Sequence, residues 1–313
     1  MPETSDRKPT PRHSDIDRDA FGSAVREQWN AVSEGAGHHP YLGCYTPAAW
    51  RHYTRCLALL DRLKSIEFAS ALDVGCNEGY FMAAIAQARG AEVWGVDLSD
   101  RAVAVAASRY GLPTAAAQAT ALPFADGAFD LVYSTEVIEH VLNPGAMLAE
   151  MRRVSRGHVL VTTPVSQSDH AHAPDFELRG PGHIHDFDEQ SVRRLFGPDA
   201  DLRTFRCNAT FALVTAFGRK LPPWPRDFFY KLDLRVAYHY GSPHGRFVPL
   251  RNRDWIIVTN GAATQPGPRE WRCPLCHGEL THEDDALSCS PEGVSFGFAE
   301  PGVPDFVARA ESG

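Results

Sequence analysis

The chain has 313 residues, enough for one large domain and an accessory piece, and 43% hydrophobic residues, enough for a buried core. Its net charge of −8 argues against broad binding to nucleic acid or anionic membrane. No run approaches the length of a membrane helix, the charged N-terminus lacks a signal-peptide core, and the seven Cys are too scattered for a disulfide framework, so a cytoplasmic protein is expected.

Residues 1–16 are polar and rich in Pro, Arg and Ser, which predicts disorder. Residues 17–66 read as a helical cover. Phe21, Val25, Trp29 and Val32 have helical spacing, and Thr46-Pro47 caps a second helix reaching about Leu63. Residues 67–260 alternate strands and helices. Strands are expected at Ala69–Val74, Glu92–Val96, Thr114–Gln118, Phe129–Ser134, His158–Thr163, Leu202–Cys207 and Asp254–Thr259. Helices are expected at Phe81–Ala88, Asp100–Arg109, Pro144–Val154 and Ser191–Phe196. This order predicts an α/β fold with a doubly wound, mostly parallel, seven-stranded Rossmann-like sheet. Residues 208–253 form an expected cap insertion; from Arg203 to Arg253 there are ten Lys/Arg against two Asp/Glu. A linker at 261–269 precedes a small β module at 270–313.

The first strand runs into Asp73-Val-Gly75-Cys76-Asn77-Glu-Gly79, a glycine turn opening a helix. The second strand ends in Asp97, placed to grip a ribose diol. A nicotinamide dinucleotide is disfavoured, because Asn77 stands where that fingerprint has its second glycine. Asp73 before the turn suits a cationic ligand better than a phosphate.

These stretches, with Ala121-Leu-Pro-Phe-Ala-Asp-Gly-Ala-Phe-Asp-Leu-Val-Tyr133, resemble the motifs of class I S-adenosylmethionine (SAM) methyltransferases. The resemblance implies that Asp73, Gly75, Cys76, Asn77 and Gly79 surround the methionine end of SAM. It implies that Asp97 accepts the ribose hydroxyls, that Leu98 lies on the adenine face, and that Gln118 replaces the usual acidic partner of the adenine amino group. Ala119 and Thr135 complete the implied cofactor set. Asn tolerates a positive φ, so the turn survives without its middle glycine.

After strand four stands Thr135-Glu136-Val-Ile-Glu139-His140-Val141, and later His183-Ile-His185. Coiled as a helical turn, Glu136, Glu139 and His140 would share one face and suit a divalent metal. The segment is similar to those of the small-RNA 3′-end 2′-O-methyltransferases and the ubiquinone-biosynthesis O-methyltransferases. The former resemblance implies a catalytic Mg or Mn held by Glu136, Glu139, His140 and His185 rather than His183. His140 and His185 are also the candidate bases; without metal the same residues would brace the cleft.

Cys273-Pro-Leu-Cys276 and Cys289 resemble a zinc ribbon related to the activator subunit of RNA methyltransferases. The second pair is broken at Glu292, so Glu292, His277 or His282 is needed as a fourth zinc ligand, or the metal has been lost. The expected function is SAM-dependent methylation of an oxygen on a small molecule, an anionic one given the basic cap, in bacterial specialised metabolism. RNA 2′-O-methylation, nitrogen or carboxyl acceptors, and a silent activator partner are the alternatives.

Overall fold

The computed structural model describes residues 26, 27, 30, 55, 56, 58–165, 183–206, 253–263 and 265–309. The N-terminal stretch expected to be disordered, most of the expected helical cover and nearly all of the expected cap at 208–253 lie outside the described residues.

Ser70–Val74 (β1) is a run of five buried residues, as expected for a strand covered on both faces. Tyr80–Arg89 (α1) follows, then Glu92–Asp97 (β2), Asp100–Tyr110 (α2), Thr114–Ala116 (β3) and Phe129–Thr135 (β4). A 3₁₀ turn at Ile138–His140 leads to Pro144–Val154 (α3), Ser155–Pro164 (β5), Glu189–Phe196 (α4), Asp201–Arg206 (β6) and Arg253–Asn260 (β7). Local chemistry sets several helix starts. Ser99 Oγ accepts from Ala102 N–H, Asn143 Oδ1 from Ala146 N–H ahead of Pro144, and Asp188 Oδ1 from Ser191 N–H. By contrast α1 opens on Gly79 in the left-handed region with no side-chain cap bond.

β1 pairs in parallel with β2 and β4, β2 with β3, and β4 with β5, while β7 runs antiparallel between β5 and β6. The parallel strands therefore deliver Asp73, Asp97 and Thr135 to one edge, where ligands of such sheets sit. No helix among the described residues is long and apolar enough to cross a membrane.

The C-terminal residues alter the expected picture of an appended module. Thr281–Glu283 (β8), Ala286–Cys289 (β9), Val294–Glu300 (β10) and Val303–Arg309 (β11) form an antiparallel set, but β11 also pairs in parallel with β3 through Asp305 and Ala116. The result is one eleven-stranded sheet, ordered β6-β7-β5-β4-β1-β2-β3-β11-β10-β9-β8. Nothing in the residues of β3 or β11 marks this pairing in the sequence. Residues 261–263 and 265–267 run closely along the domain: Gly261 N–H bonds Gly157 O at 2.8 Å and Gly267 N–H bonds Gly127 O at 3.0 Å. A Cβ on Gly267 would come within 2.1 Å of Asp126 O, so only glycine permits this approach.

Trp271 fills the junction. Its ring centroid lies 4.9 Å from Trp94, 5.1 Å from Phe124 and 5.8 Å from Phe306, joining residues of both parts in one aromatic cluster. Trp271→Ala should therefore destabilise the whole chain by about 3 kcal/mol, as for truncating a largely packed aromatic. Urea unfolding followed by circular dichroism should show one transition at lower urea. Loss of an early C-terminal transition alone would show that the parts fold separately.

Candidate active site

The glycine turn is built on positive φ values: Gly75 at 84°, Asn77 at 48° and Gly79 at 78°. Asn77 keeps the expected left-handed conformation, and its Oδ1 accepts Glu78 N–H at 2.7 Å, which steadies the turn. At Gly75 a Cβ would come within 2.3 Å of Val137, so the turn is packed against the segment after β4.

Asp73 lies at the base of this cradle, 1% exposed. Neither carboxylate oxygen has a hydrogen-bond partner among the described residues. The Tyr133 hydroxyl faces it and eases the charge, but no bond of full hydrogen-bond geometry forms. Burial pushes the Asp73 pKa up to about 8, against the influence of Tyr133 and reinforced by Asp97. A buried carboxylate with no partner among the described residues, beside a helix N-terminus without a side-chain cap, fits a ligand carrying both a cation and a carboxylate. The methionine end of SAM has that character, so the residues fit the expected cofactor.

Asp97 is half-buried at the end of β2. Its Oδ2 accepts Asn77 N–H at 2.8 Å and its Oδ1 accepts Ser99 N–H at 2.9 Å. Burial raises its pKa, and the backbone N–H groups of Ser99, Asn77 and Leu98 oppose the rise. Asp97 thus ties the glycine turn to the start of α2. Leu98 and Ala119 are half-buried beside it, and Gln118 is exposed just past β3. Cys76 is buried under the turn.

The segment after β4 departs from the expected helical turn. Glu136 sits at φ 58°, and the helical hydrogen bonds begin only at Ile138. Glu136 therefore does not share a face with Glu139 and His140. Its Oε2 pairs with Arg55 Nη2 at 2.6 Å, and its Oε1 accepts Thr162 Oγ1–H at 3.1 Å. Arg55 Nε also holds Asp254 at 2.7 Å. A left-handed glutamate costs about 1 kcal/mol or more, and this network fixes it there.

Glu139 is buried, with Oε2 accepting from Thr163 Oγ1 at 3.1 Å and Oε1 unpartnered among the described residues. Burial lifts its pKa to about 7. Burial and the neighbouring Glu139 also raise Glu136, while the Arg55 guanidinium acts against them. The chain returns over this turn: Ile184 and His185 N–H both donate to Glu139 O, at 2.9 and 3.1 Å. That crossing sets the His183 ring 4.9 Å from His140, edge to face, and carries His185 on to Val141 O, 3.0 Å from its Nε2. The donor atoms of Glu139, His140 and His183 lie within 4.8 Å of one another. The cluster therefore contains His183 in place of the expected His185, and omits Glu136. Sequence reasoning passed over Arg55 and Asp254 altogether; no local pattern marks a residue whose partner is 81 or 199 positions away.

In the C-terminal part the sulfurs of Cys273, Cys276 and Cys289 also lie within 4.8 Å of one another. Leu275 N–H points to Cys273 Sγ at 3.4 Å, and the backbones of Gly278 and Glu292 donate to Cys276 and Cys289. The Glu292 carboxylate acts electrostatically on Cys276. His277 instead faces Glu150 across the junction at 3.9 Å, and His282 is exposed on β8.

Comparison with known proteins agrees with this geometry. Residues 72–161 match the model of a methyltransferase domain. An uncharacterized methyltransferase of Mycobacterium sp. (strain JLS) is 35% identical over 173 residues, which is 50% of this chain and 67% of that protein. The O-methyltransferase cnsE of Penicillium expansum is 34% identical over 116 residues, covering 35% of this chain and 42% of the relative. In fold, the chain is similar to magnesium protoporphyrin IX methyltransferase from Synechocystis PCC 6803 with bound S-adenosylhomocysteine. The TM-score is 0.51 with 14% identity, over 77% of this chain and all of that one. The glycine cradle, the carboxylates at the ends of β1 and β2 and these relatives agree: the chain belongs to the class I SAM-dependent methyltransferases.

Proposed function

We propose that this methyltransferase acts on an oxygen of a small anionic molecule, with a divalent ion held by Glu139, His140 and His183. The convergence of those three donors at the carboxyl end of β4 carries the reading. O-methyltransferases among the partial relatives support the acceptor atom. The ten Lys/Arg between 203 and 253 support an anionic acceptor.

When bound, SAM supplies a methyl group on a sulfonium, which any correctly placed nucleophile can take. The chain's own residues account for the rest. Asp73 answers the ammonium of the methionine end, the α1 N–H groups answer its carboxylate, and Asp97 accepts the ribose hydroxyls. Leu98 and Ala119 flank the adenine, Gln118 meets its edge, and Thr135 bounds the acceptor side. A divalent Mg or Mn at the three donors would lower the pKa of a hydroxyl and orient it. Glu136, held by Arg55, lies at the rim of this set. A metal-free reading has its own support in the pairing of the His140 and His183 rings, which would let His140 accept the hydroxyl proton at an imidazole nitrogen. We also infer that Cys273, Cys276 and Cys289 hold zinc with Glu292 as the fourth ligand, since His277 is turned toward Glu150.

The Asp73 reading has a signed pH consequence. Its folded pKa is raised, so its contribution to stability is intact below about 4 and is lost as pH rises toward about 8. Asp73→Asn should raise the melting temperature of the ligand-free protein at pH 8 and not at pH 4. The same variant should lose most of the stabilisation that SAM gives the wild type. Equal SAM-induced shifts in both proteins would remove Asp73 from the cofactor site.

Asp97→Ala should weaken SAM binding by about 2 kcal/mol or more in calorimetry, as for a charged acceptor taken from a site. An unchanged affinity would place the ribose elsewhere.

Exhaustive chelation should abolish activity, and Mn or Mg should restore it. Glu139→Gln should match the chelated wild type, with no further loss in chelator, because the donors act as a unit. Cys276→Ser serves as the control for the second metal site and should keep its response to Mn. Full activity in chelator would leave His140 as a metal-free base.

A further inference from the structure

The N-terminal and C-terminal parts of the chain meet at one guanidinium. Arg26 Nη2 lies 2.5 Å from Asp305 Oδ2 and 3.2 Å from Asp100 Oδ1, and Arg26 Nε donates to the same Asp100 oxygen at 3.3 Å. Four residues on, Asn30 Nδ2 donates to Asp100 Oδ1 at 2.7 Å, and its Oδ1 accepts from Ser99 Oγ at 2.6 Å. Ser99 Oγ in turn accepts Ala102 N–H, so its proton and a lone pair are both committed and its rotor is fixed. Through its backbone N–H, Ser99 holds Asp97, which holds Asn77 in the glycine turn.

A continuous polar chain thus runs from Asp305, the residue that joins β11 to β3, to both cofactor carboxylate turns. The end members are sheltered: the Arg26 and Asp305 side chains are 16% and 11% exposed, so water and salt screen this pair less than a surface one. Two carboxylates share one guanidinium. Without Asp305, Arg26 would be drawn wholly to Asp100 and the Asn30–Ser99 contact would shift with it.

We propose that Asp305 is a positioning residue for cofactor binding: acting through Arg26, it fixes the turn from Asp97 to Asp100. The C-terminal residues are then a working part of the SAM site and not an appended unit. The proposal rests on the reading that Asp97 binds the ribose.

The test is SAM binding by calorimetry together with steady-state kinetics on the full-length chain. Asp305→Asn should weaken SAM about tenfold and raise its KM to match, with kcat at saturating SAM within twofold, the size expected for coupling through a chain of contacts. Asp305→Glu should recover most of the affinity. Arg26→Gln, which leaves the C-terminal strands untouched, should weaken SAM at least as much. The double variant should be no weaker than Arg26→Gln alone, because both residues act along one path. Wild-type affinity in Asp305→Asn would overturn the proposal. So would additive losses in the double variant, or a fall in kcat and melting temperature without a change in KM. Asp97→Ala measured alongside separates the two readings. If it binds SAM normally, the ribose assignment fails; if it weakens SAM while Asp305→Asn does not, only the relay fails.

Discussion

A carboxylate buried without a partner is costly, and Asp73, at the end of β1, has none among the described residues. The surrounding structure keeps it that way. The strand is covered on both faces, so Asp73 cannot reach water. The left-handed Gly75, Asn77 and Gly79 turn the backbone sharply just after it. The start of α1, at Gly79, has no side-chain cap bond. Stability is given up at a point where a cationic ligand can restore it. In the proposed site that exchange would tie SAM binding to the protonation state of Asp73.

The second carboxylate, Asp97, solves a different problem. Both its oxygens accept backbone N–H groups, so it stays half-buried without being stranded. In doing so it locks the glycine turn to α2. The Asp305–Arg26–Asp100 chain continues this lock across the edge of the sheet, where β11 covers β3. An exposed edge strand invites wrong pairing, and here the edge is closed by the chain's own C-terminal strands. Closure of the edge and bracing of the cofactor turn therefore come from the same residue.

Beyond β4 the design is one of diverted charges. Glu136, which by spacing belongs with Glu139 and His140, is turned aside into a left-handed conformation and held by Arg55, itself held by Asp254. Glu139 is left deeper, with one oxygen unpartnered among the described residues, facing two imidazoles. Burial raises both carboxylates, Glu139 to about 7, and the Arg55 guanidinium acts against the rise at Glu136.

What the amino-acid order determines by itself is local. The short run Ser70-Ala-Leu-Asp-Val74 makes β1; Ser99, Asn143-Pro144 and Asp188 start helices; and the Asp73–Gly79 turn resembles a cofactor loop, because these depend on neighbours within a few positions. Strands β1, β2, β4, β5 and β7 accordingly fall within a few residues of where the pattern places them. The tertiary structure alone decides the rest. Only folding brings Arg55 to Glu136 and Asp254, and Arg26 to Asp305, pairs up to 279 positions apart. Only the crossing of the 183–185 stretch over Glu139 O selects His183 over His185, since in sequence the two differ by a single intervening isoleucine. And only the pairing of Asp305 with Ala116 turns a C-terminal module into an extension of the main sheet, because hydrogen bonding across an edge leaves no mark on the order of residues in either strand.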